Sequence, residues 1–195
     1  MKIVVIGATG TIGSALVDAL ETKEHQVVRA SRRGIVQVDL DDPGSISALF
    51  DAVDNIDAIV AVAASGQLAE LPDSTDDEYF LGLEGKFLGQ IHLVRHAIRH
   101  LNDAGSITLT NGISTFSEPG LSFAAAVNAG LGGFVPAAAL ELPRGIRLNS
   151  VSPGWISETL TALGRDGAAG TPVANVVRAY LELIEGTAHG RVVEP

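Results

Sequence analysis

The sequence predicts an α/β fold: one doubly wound domain over residues 1–195, with a mostly parallel seven-stranded sheet and helices on both faces. Three observations predict it. Short apolar runs rich in β-branched residues alternate with longer amphipathic stretches along the whole chain. A glycine-rich turn joins the first apolar run to the first amphipathic one. The chain has 195 residues, 46% hydrophobic and 18% charged, which suits one domain with a sizeable core rather than a disordered chain. No internal repeat and no low-complexity linker divides it.

Lys2–Ile6 is a buried strand, and Ile12–Leu20 reads as a helix. Gln26–Ala30 and Ile35–Leu40 are the next two strands. The gap between them is too short for the roughly 10–12 residues of a crossover helix, so their connection must be compressed or irregular. Asp42-Pro43-Gly44-Ser45 starts a helix that runs to about Val53, and Ala58–Ala63 is a strong apolar strand. Ser74 to His100 reads as one long helix. Its acidic start (Asp76, Asp77, Glu78) and basic end (Arg95, Arg99, His100) complement the helix dipole. Ser106–Thr110 is a strand, Ser122–Leu142 an Ala- and Gly-rich helix interrupted by Pro136, and Ile146–Val151 a strand. Pro172–Ile184 is the last helix and Arg191–Val193 the last short strand.

Charge and composition exclude several functions. The net charge is −10, from 23 acidic and 13 basic residues. Such a surface disfavours nucleic acids and anionic membranes, which need basic patches. With no cysteine there is no disulfide scaffold, thiolate metal site or thiol nucleophile, which fits a reducing, cytoplasmic setting. No apolar run is expected to approach the ~18 residues of a membrane span. The opening Met1-Lys2-Ile3-Val4-Val5-Ile6-Gly7 is too short an apolar run for a signal peptide.

Gly7-Ala8-Thr9-Gly10-Thr11-Ile12-Gly13 follows the first strand and opens the first helix. Bare backbone at such glycines admits a pyrophosphate, and the helix start offers free N–H groups to it. Gly7, Thr9, Gly10, Thr11, Ile12 and Gly13 are therefore candidate phosphate contacts in a Rossmann-type domain. The second strand ends in Ser31-Arg32-Arg33, where an NAD site carries an acid for the ribose hydroxyls. A hydroxyl and two guanidiniums suit the 2′-phosphate of NADP instead. Asp39 and Leu40, ending the third strand, are candidates for the adenine.

The glycine spacing, together with Arg147-Leu148-Asn149-Ser150-Val151-Ser152-Pro153-Gly154, resembles the short-chain dehydrogenase/reductase family. The resemblance covers nearly the whole chain. It implies that Pro153, Gly154, Trp155 and Ile156 flank the nicotinamide. It also implies that Ala63, Ala64 and Ser65 of Ala63-Ala64-Ser65-Gly66 line the adenine ribose, and it puts Asn111 beside the cofactor. Ala129-Gly130-Leu131-Gly132-Gly133-Phe134 resembles the run after the family's catalytic lysine, and His189-Gly190-Arg191 its C-terminal ending.

The family's catalytic set is a serine, a tyrosine, a lysine four residues later and an asparagine on the fourth helix. By the same resemblance the lysine position holds Asn128, the tyrosine position Ala124, the serine position Asn111 or Gly112, and the asparagine position Lys86. The proton donor of the family is thus absent from its usual place. Lys86, Asn128 and Ser114 are the candidate replacements: a lysine whose pKa burial can lower, an amide that can bond ribose hydroxyls, and a hydroxyl near the substrate. Ser122, on the other side of that loop, is weighed with Ser114. Tyr79, seven residues before Lys86, shares its helical face and is a conceivable displaced donor, although about 10 Å of rise separates them. His92, His96 and His100 form a stripe that reads as an interface or solvated face rather than a metal site.

The expected function is an NADP-dependent oxidoreductase acting on a small carbonyl-like molecule with a nonstandard proton donor. The alternatives are an inactive NADP-binding or sensing protein, and a non-redox enzyme using the same pocket. The resemblance also implies a homodimer or homotetramer through the fourth and fifth helices.

Overall fold

The structure, a computed structural model, describes residues 1–62, 67–113 and 118–195. Seven parallel strands form one sheet in the order β3-β2-β1-β4-β5-β6-β7. They are β1 (Lys2–Ile6), β2 (Gln26–Ser31), β3 (Val36–Gln37), β4 (Ile56–Ala61), β5 (Leu101–Thr110), β6 (Arg147–Val151) and β7 (Val192–Val193). The strand order reverses between β1 and β4. In open sheets of this kind the crevice outside the carboxyl ends of the strands at that reversal holds the ligand.

Alternation along the strands divides the core in two. Val4, Ile6, Ile59, Ile107 and Leu109 pack on one face with Ile46 and Leu49 of α2 (Pro43–Ala52) and Leu93 and Val94 of α4 (Gln90–His100). Ile3, Val5 and Val60 pack on the other with Leu16 and Leu20 of α1 (Thr11–Thr22) and Tyr180 and Leu183 of α7 (Val173–Glu185).

Several expectations from sequence are corrected. The third strand is two residues long, because only Ala30↔Val36 and Ser31↔Gln37 pair before the chain turns away. The fifth begins at Leu101 rather than Ser106, its early pairing with Ile56 offset by a register shift. The expected helix from Ser74 to His100 is divided in three: α3 (Asp76–Tyr79), a π-helical segment (Leu83–Gly89) and α4. The break is at Gly82, whose φ of 99° no right-handed helix contains. Pro136 does not interrupt α5 (Ser122–Ala139). It lies on the exposed face of the helix, where its ring displaces no core side chain.

This α5 also corrects the expectation about apolar length. Its eighteen residues carry no charge and are long and apolar enough to cross a membrane by length and composition. Here Val127, Leu131 and Val135 are buried in the protein. On the histidine stripe of α4, His100 is exposed and His92 and His96 are half-buried. Phe50 of α2 stacks on His96 at 6.1 Å and on His100 at 4.9 Å between ring centroids. Two elements were not foreseen: α6 (Ser157–Ala162) and a short 3-10 turn (Gly167–Ala169), both in the loop after β6.

Candidate active site

The glycine loop turns where β1 ends. Gly7 has φ 86° and donates its N–H to Ala30 O of β2 at 2.9 Å, so the loop is tied to the neighbouring strand. A Cβ placed on Gly13 would lie 2.0 Å from Gly7 O, so the first turn of α1 rests on bare backbone. At Gly10 the same test meets only Gly7 O, at 3.5 Å. Gly10 is the N-cap of α1 and no side chain caps it. The helix start therefore presents N–H groups, with the positive end of the dipole, to whatever fills the loop.

This loop forms one wall of a cleft of about 510 Å³. Gly7, Thr9 and Gly10 line it, and Ser31, Arg32, Arg33, Asp39 and Leu40 line it too. The compressed turn between β2 and β3 explains the convergence. With no crossover helix, Ser31–Gly34 stays at the carboxyl edge of the sheet, beside the glycine loop. Arg32 and Arg33 are exposed, and among the described residues neither guanidinium has a protein hydrogen-bond or ion-pair partner.

Val38, Asp41, Val62 and Gly85 also line this cleft, and the sequence reading did not include them. Gly85 and Gly89, one turn apart, are the signal that was available. A Cβ on Gly85 would lie 2.2 Å from Asp41 Oδ1, and one on Gly89 2.2 Å from Leu40 O. The π-helical segment thus lies directly against the loop that carries Leu40 and Asp41. Thr11 is exposed and Ile12 half-buried on α1, just beyond the lining residues. Ala63, Ala64, Ser65 and Ser114 lie outside the described residues.

The other end of the site is built on β5, β6 and α5. Asn111 follows β5 and donates its N–H to Val151 O at 2.8 Å. Its side chain is buried against Gly132, and its Oδ1 has no partner among the described residues. Asn128 is buried and donates Nδ2 to Ile113 O at 2.6 Å, with its amide packed on Gly112; its Oδ1 is likewise unpartnered. Each asparagine rests on a glycine of the other's element. Pro153 is buried, and Gly154 faces Ile113 across the strand ends. Trp155 and Ile156 continue into α6. Trp155 is covered by the Arg165 guanidinium at 5.4 Å, and Arg165 pairs with Glu118 at 2.9 Å.

Lys86 is on the π-helical segment. Its side chain reaches a second, small cavity that also touches Tyr79, Phe123, Ala124 and Val127. Burial pushes the Lys86 ammonium below the usual lysine range. Its backbone carbonyl lies where the π-helical segment passes into α4, and Gln90 N–H bonds Phe87 O rather than Lys86 O. Gln90 Nε2 takes that carbonyl at 2.6 Å, and the same amide bonds Thr110 O and accepts from Thr110 N, both at 2.9 Å. Gln90 is fully buried and was not anticipated from sequence.

A family model described as Enoyl-(Acyl carrier protein) reductase matches residues 9–179. This chain belongs to the short-chain dehydrogenase/reductase family. Among solved structures, this family member is similar to the protein lin1944 from Listeria innocua, with 37% identity and a TM-score of 0.93 over 100% of this chain and 98% of that one. It is also similar to a small-chain dehydrogenase solved in complex with NADPH, with 25% identity and a TM-score of 0.87 over 100% and 96%. Among curated proteins, versicolorin reductase stcU of Emericella nidulans is 30% identical over 129 residues, 62% of this chain. The match spans 48%, about half, of that relative.

Proposed function

We propose that this short-chain dehydrogenase/reductase is an NADP-dependent oxidoreductase that moves hydride to or from a small carbonyl-like molecule, with a proton donor other than the family's. One observation carries the cofactor choice. The glycine loop, Ser31, Arg32 and Arg33 share a single cleft, and among the described residues neither guanidinium has a partner. The cradle at Gly10 and Gly13 fits a pyrophosphate, and a hydroxyl with two arginines fits a 2′-phosphate. The NADPH bound in one of the similar structures supports the same choice.

Gly7, Thr9, Gly10, Thr11, Ile12 and Gly13 would hold the phosphates, Ser31–Arg33 the 2′-phosphate, and Asp39 and Leu40 the adenine. The Oδ1 atoms of Asn111 and Asn128, unpartnered among the described residues, offer acceptors for donors at the nicotinamide end. Pro153, Gly154, Trp155 and Ile156 would flank the ring, with Ala63, Ala64 and Ser65 at the adenine ribose. When bound, the cofactor supplies a hydride donor or acceptor. The chain's own work is to orient it, exclude water and manage one proton. Lys86, with Asn128 and Ser114 as the other candidates, would stabilise charge on the substrate oxygen. The exposed outer face of α5 carries Ala126, Ala129, Gly133 and Ala137. We assign it, with α4, to a homodimer or homotetramer contact.

Calorimetric titration with NADPH and NADH tests the reading. NADPH should bind at least tenfold more tightly than NADH, the worth of one charge-assisted hydrogen bond of about 1.4 kcal/mol. Arg32→Ala should abolish that preference. Absence of binding by either nucleotide would sink the proposal. Tight NADPH binding with no oxidation by any aldehyde or ketone would favour a binding or sensing protein instead.

A further inference from the structure

We propose that Tyr79, Ser122 and Lys86 form a carbonyl-oxygen subsite for a small uncharged ketone or aldehyde, with Tyr79 as the proton donor. The inference rests on the oxidoreductase reading and adds to it the donor and the substrate class.

The Tyr79 phenol and Ser122 Oγ are hydrogen-bonded at 2.9 Å. They come from separate elements, α3 and the first turn of α5. The phenol ring is held by Phe80, edge-on at 5.2 Å, and by Phe123 at 5.6 Å. Aromatic contacts of this kind fix a ring's direction while its polar tip remains available. Tyr79 and Lys86 line the same inner cavity, of about 40 Å³. A water needs roughly 10–15 Å³ of such space, so this cavity has room for a small polar group. It is open because Ala124 on its wall has only a methyl group.

Among the described residues the Lys86 ammonium has no hydrogen-bond or ion-pair partner. The residue is half-buried, and an ammonium partly stripped of water with no partner among the described residues is costly. A carbonyl oxygen gaining negative charge during reduction recovers that cost, which is the pattern of a site built for the transition state. Ser122 does not line the inner cavity. It lines the adjoining cleft of about 470 Å³, and Gly120 belongs to both spaces. Its hydroxyl therefore links the inner phenol to the outer opening. The outer cleft has Leu71, Pro72 and Leu121 on its walls and Glu70 and Glu118 as its charged groups. Apolar walls with carboxylates admit a neutral organic body and repel an anionic one.

The reaction balances. Hydride from the reduced nicotinamide forms the new C–H bond at the carbonyl carbon, and the C=O π pair moves to oxygen. That oxygen takes the Tyr79 proton. The phenolate is stabilised by the Lys86 ammonium and reprotonated through Ser122 from water in the outer cleft. The carbonyl is reduced to an alcohol, and the nicotinamide is oxidised.

Fluorine NMR with para-fluoroacetophenone tests the subsite without turnover. The titration is run on the full chain with and without NADP, while calorimetry follows NADPH separately. Wild type should bind the ketone. Tyr79→Phe, which keeps the ring packing, and Lys86→Met, which keeps the volume, should each weaken it about tenfold, the loss of one hydrogen bond. NADPH affinity should be unchanged in both. Lys86→Met should also melt no lower than wild type, since it removes a half-buried charge that has no partner among the described residues. No ketone binding by wild type, or equal binding by all three proteins, overturns the subsite. A chain that binds the ketone but not NADPH refutes the cofactor reading and leaves the subsite standing.

Discussion

Gly13→Ala and Gly10→Ala separate what the glycine loop does for the fold from what it does for a ligand. A methyl on Gly13 would lie 2.0 Å from Gly7 O, 2.8 Å from Gly7 C and 3.0 Å from the Cα of Ala8. All three are backbone atoms, so no side-chain rotation relieves the overlap. Overpacking costs about 1–3 kcal/mol, and backbone displacement takes this case to the upper end, about 3 kcal/mol. A domain of this length loses roughly 2–4 °C per kcal/mol, so Gly13→Ala should melt about 6–12 °C below wild type. Gly10→Ala meets only Gly7 O, at 3.5 Å, an ordinary contact. Its cost is that of a poorer N-cap residue, under about 1 kcal/mol. Yet its methyl stands at the wall of the cleft where a pyrophosphate would approach, and NADPH affinity should fall at least tenfold. Thermal melts and calorimetry on the two variants check both halves. Equal melting of Gly13→Ala and wild type would refute the packing argument. Undiminished NADPH binding by Gly10→Ala would refute the loop as a phosphate cradle.

Four further outcomes follow from individual groups. Arg147 reaches under the end of α7 and donates to Leu183 O, Ile184 O and Ala188 O at 2.8, 2.8 and 3.1 Å. Arg147→Met should cost about 2–3 kcal/mol in urea unfolding, because it leaves part-buried carbonyls without donors. Gln90→Met removes a buried amide bonded to Lys86 O and to both backbone groups of Thr110. It should cost about 3 kcal/mol, whereas loss of less than about 1 kcal/mol would mean that water replaces the amide. Burial pushes the Tyr180 phenol up, so the unfolded chain ionises first and stability falls as pH rises past about 10. The chain has two tyrosines, and in ultraviolet titration one of them should ionise only with unfolding. That step should be missing in Tyr180→Phe. The Asn102 amide and the Lys2 backbone N–H hold the Asp57 carboxyl below its usual range. Its stabilisation is present above about pH 4 and lost as pH falls through the lower folded value. The gap in urea midpoint between wild type and Asp57→Asn should therefore close on acidification from pH 7 to pH 3.

The parts of the molecule legible in sequence are those governed by local rules. The glycine loop was readable because a strand, a glycine-spaced turn and a helix must be contiguous for its geometry to exist. Ser31-Arg32-Arg33 was readable as a charge exception in an acidic chain, and it lines the same cleft as the loop. The division of the expected helix after Ser74 was not readable from apolar periodicity. A π-helical segment adds one residue to a turn and shifts the apolar face only slightly. Gly82, Gly85 and Gly89 were the available signal, since three glycines in eight residues are costly inside a helix unless something approaches closely. Leu40 and Asp41 do approach. The short β3 was overextended because its apolar residues are buried by the cleft wall rather than by pairing. Val38 and Leu40 are buried without belonging to the sheet. Gln90 was invisible for a different reason: a glutamine on a helix is normally solvated, and only tertiary contact with β5 makes it a buried clamp.

That clamp links the position of Lys86 to the sheet. A lysine on an ordinary helix turn would have its carbonyl held by the N–H four residues on, and its position would follow the helix. Here Gln90 N–H bonds Phe87 O rather than Lys86 O, and the Gln90 side chain ties the Lys86 carbonyl to the backbone of Thr110. The Thr110 hydroxyl is bonded in turn to Ala61 O of β4 and to the Tyr180 phenol of α7. One chain of hydrogen bonds thus runs from α7 through two central strands to Lys86, whose ammonium burial holds below the usual range. Every link is satisfied, so the network rigidifies rather than destabilises. An ammonium on a four-carbon stem is flexible by nature. Anchoring its backbone to the strands that also end at Asn111 fixes where that flexibility begins, relative to the same edge of the sheet that carries the glycine loop. The glycine-loop cleft and the Lys86 cavity therefore share one rigid frame, which the proposed hydride transfer with a matched proton transfer requires.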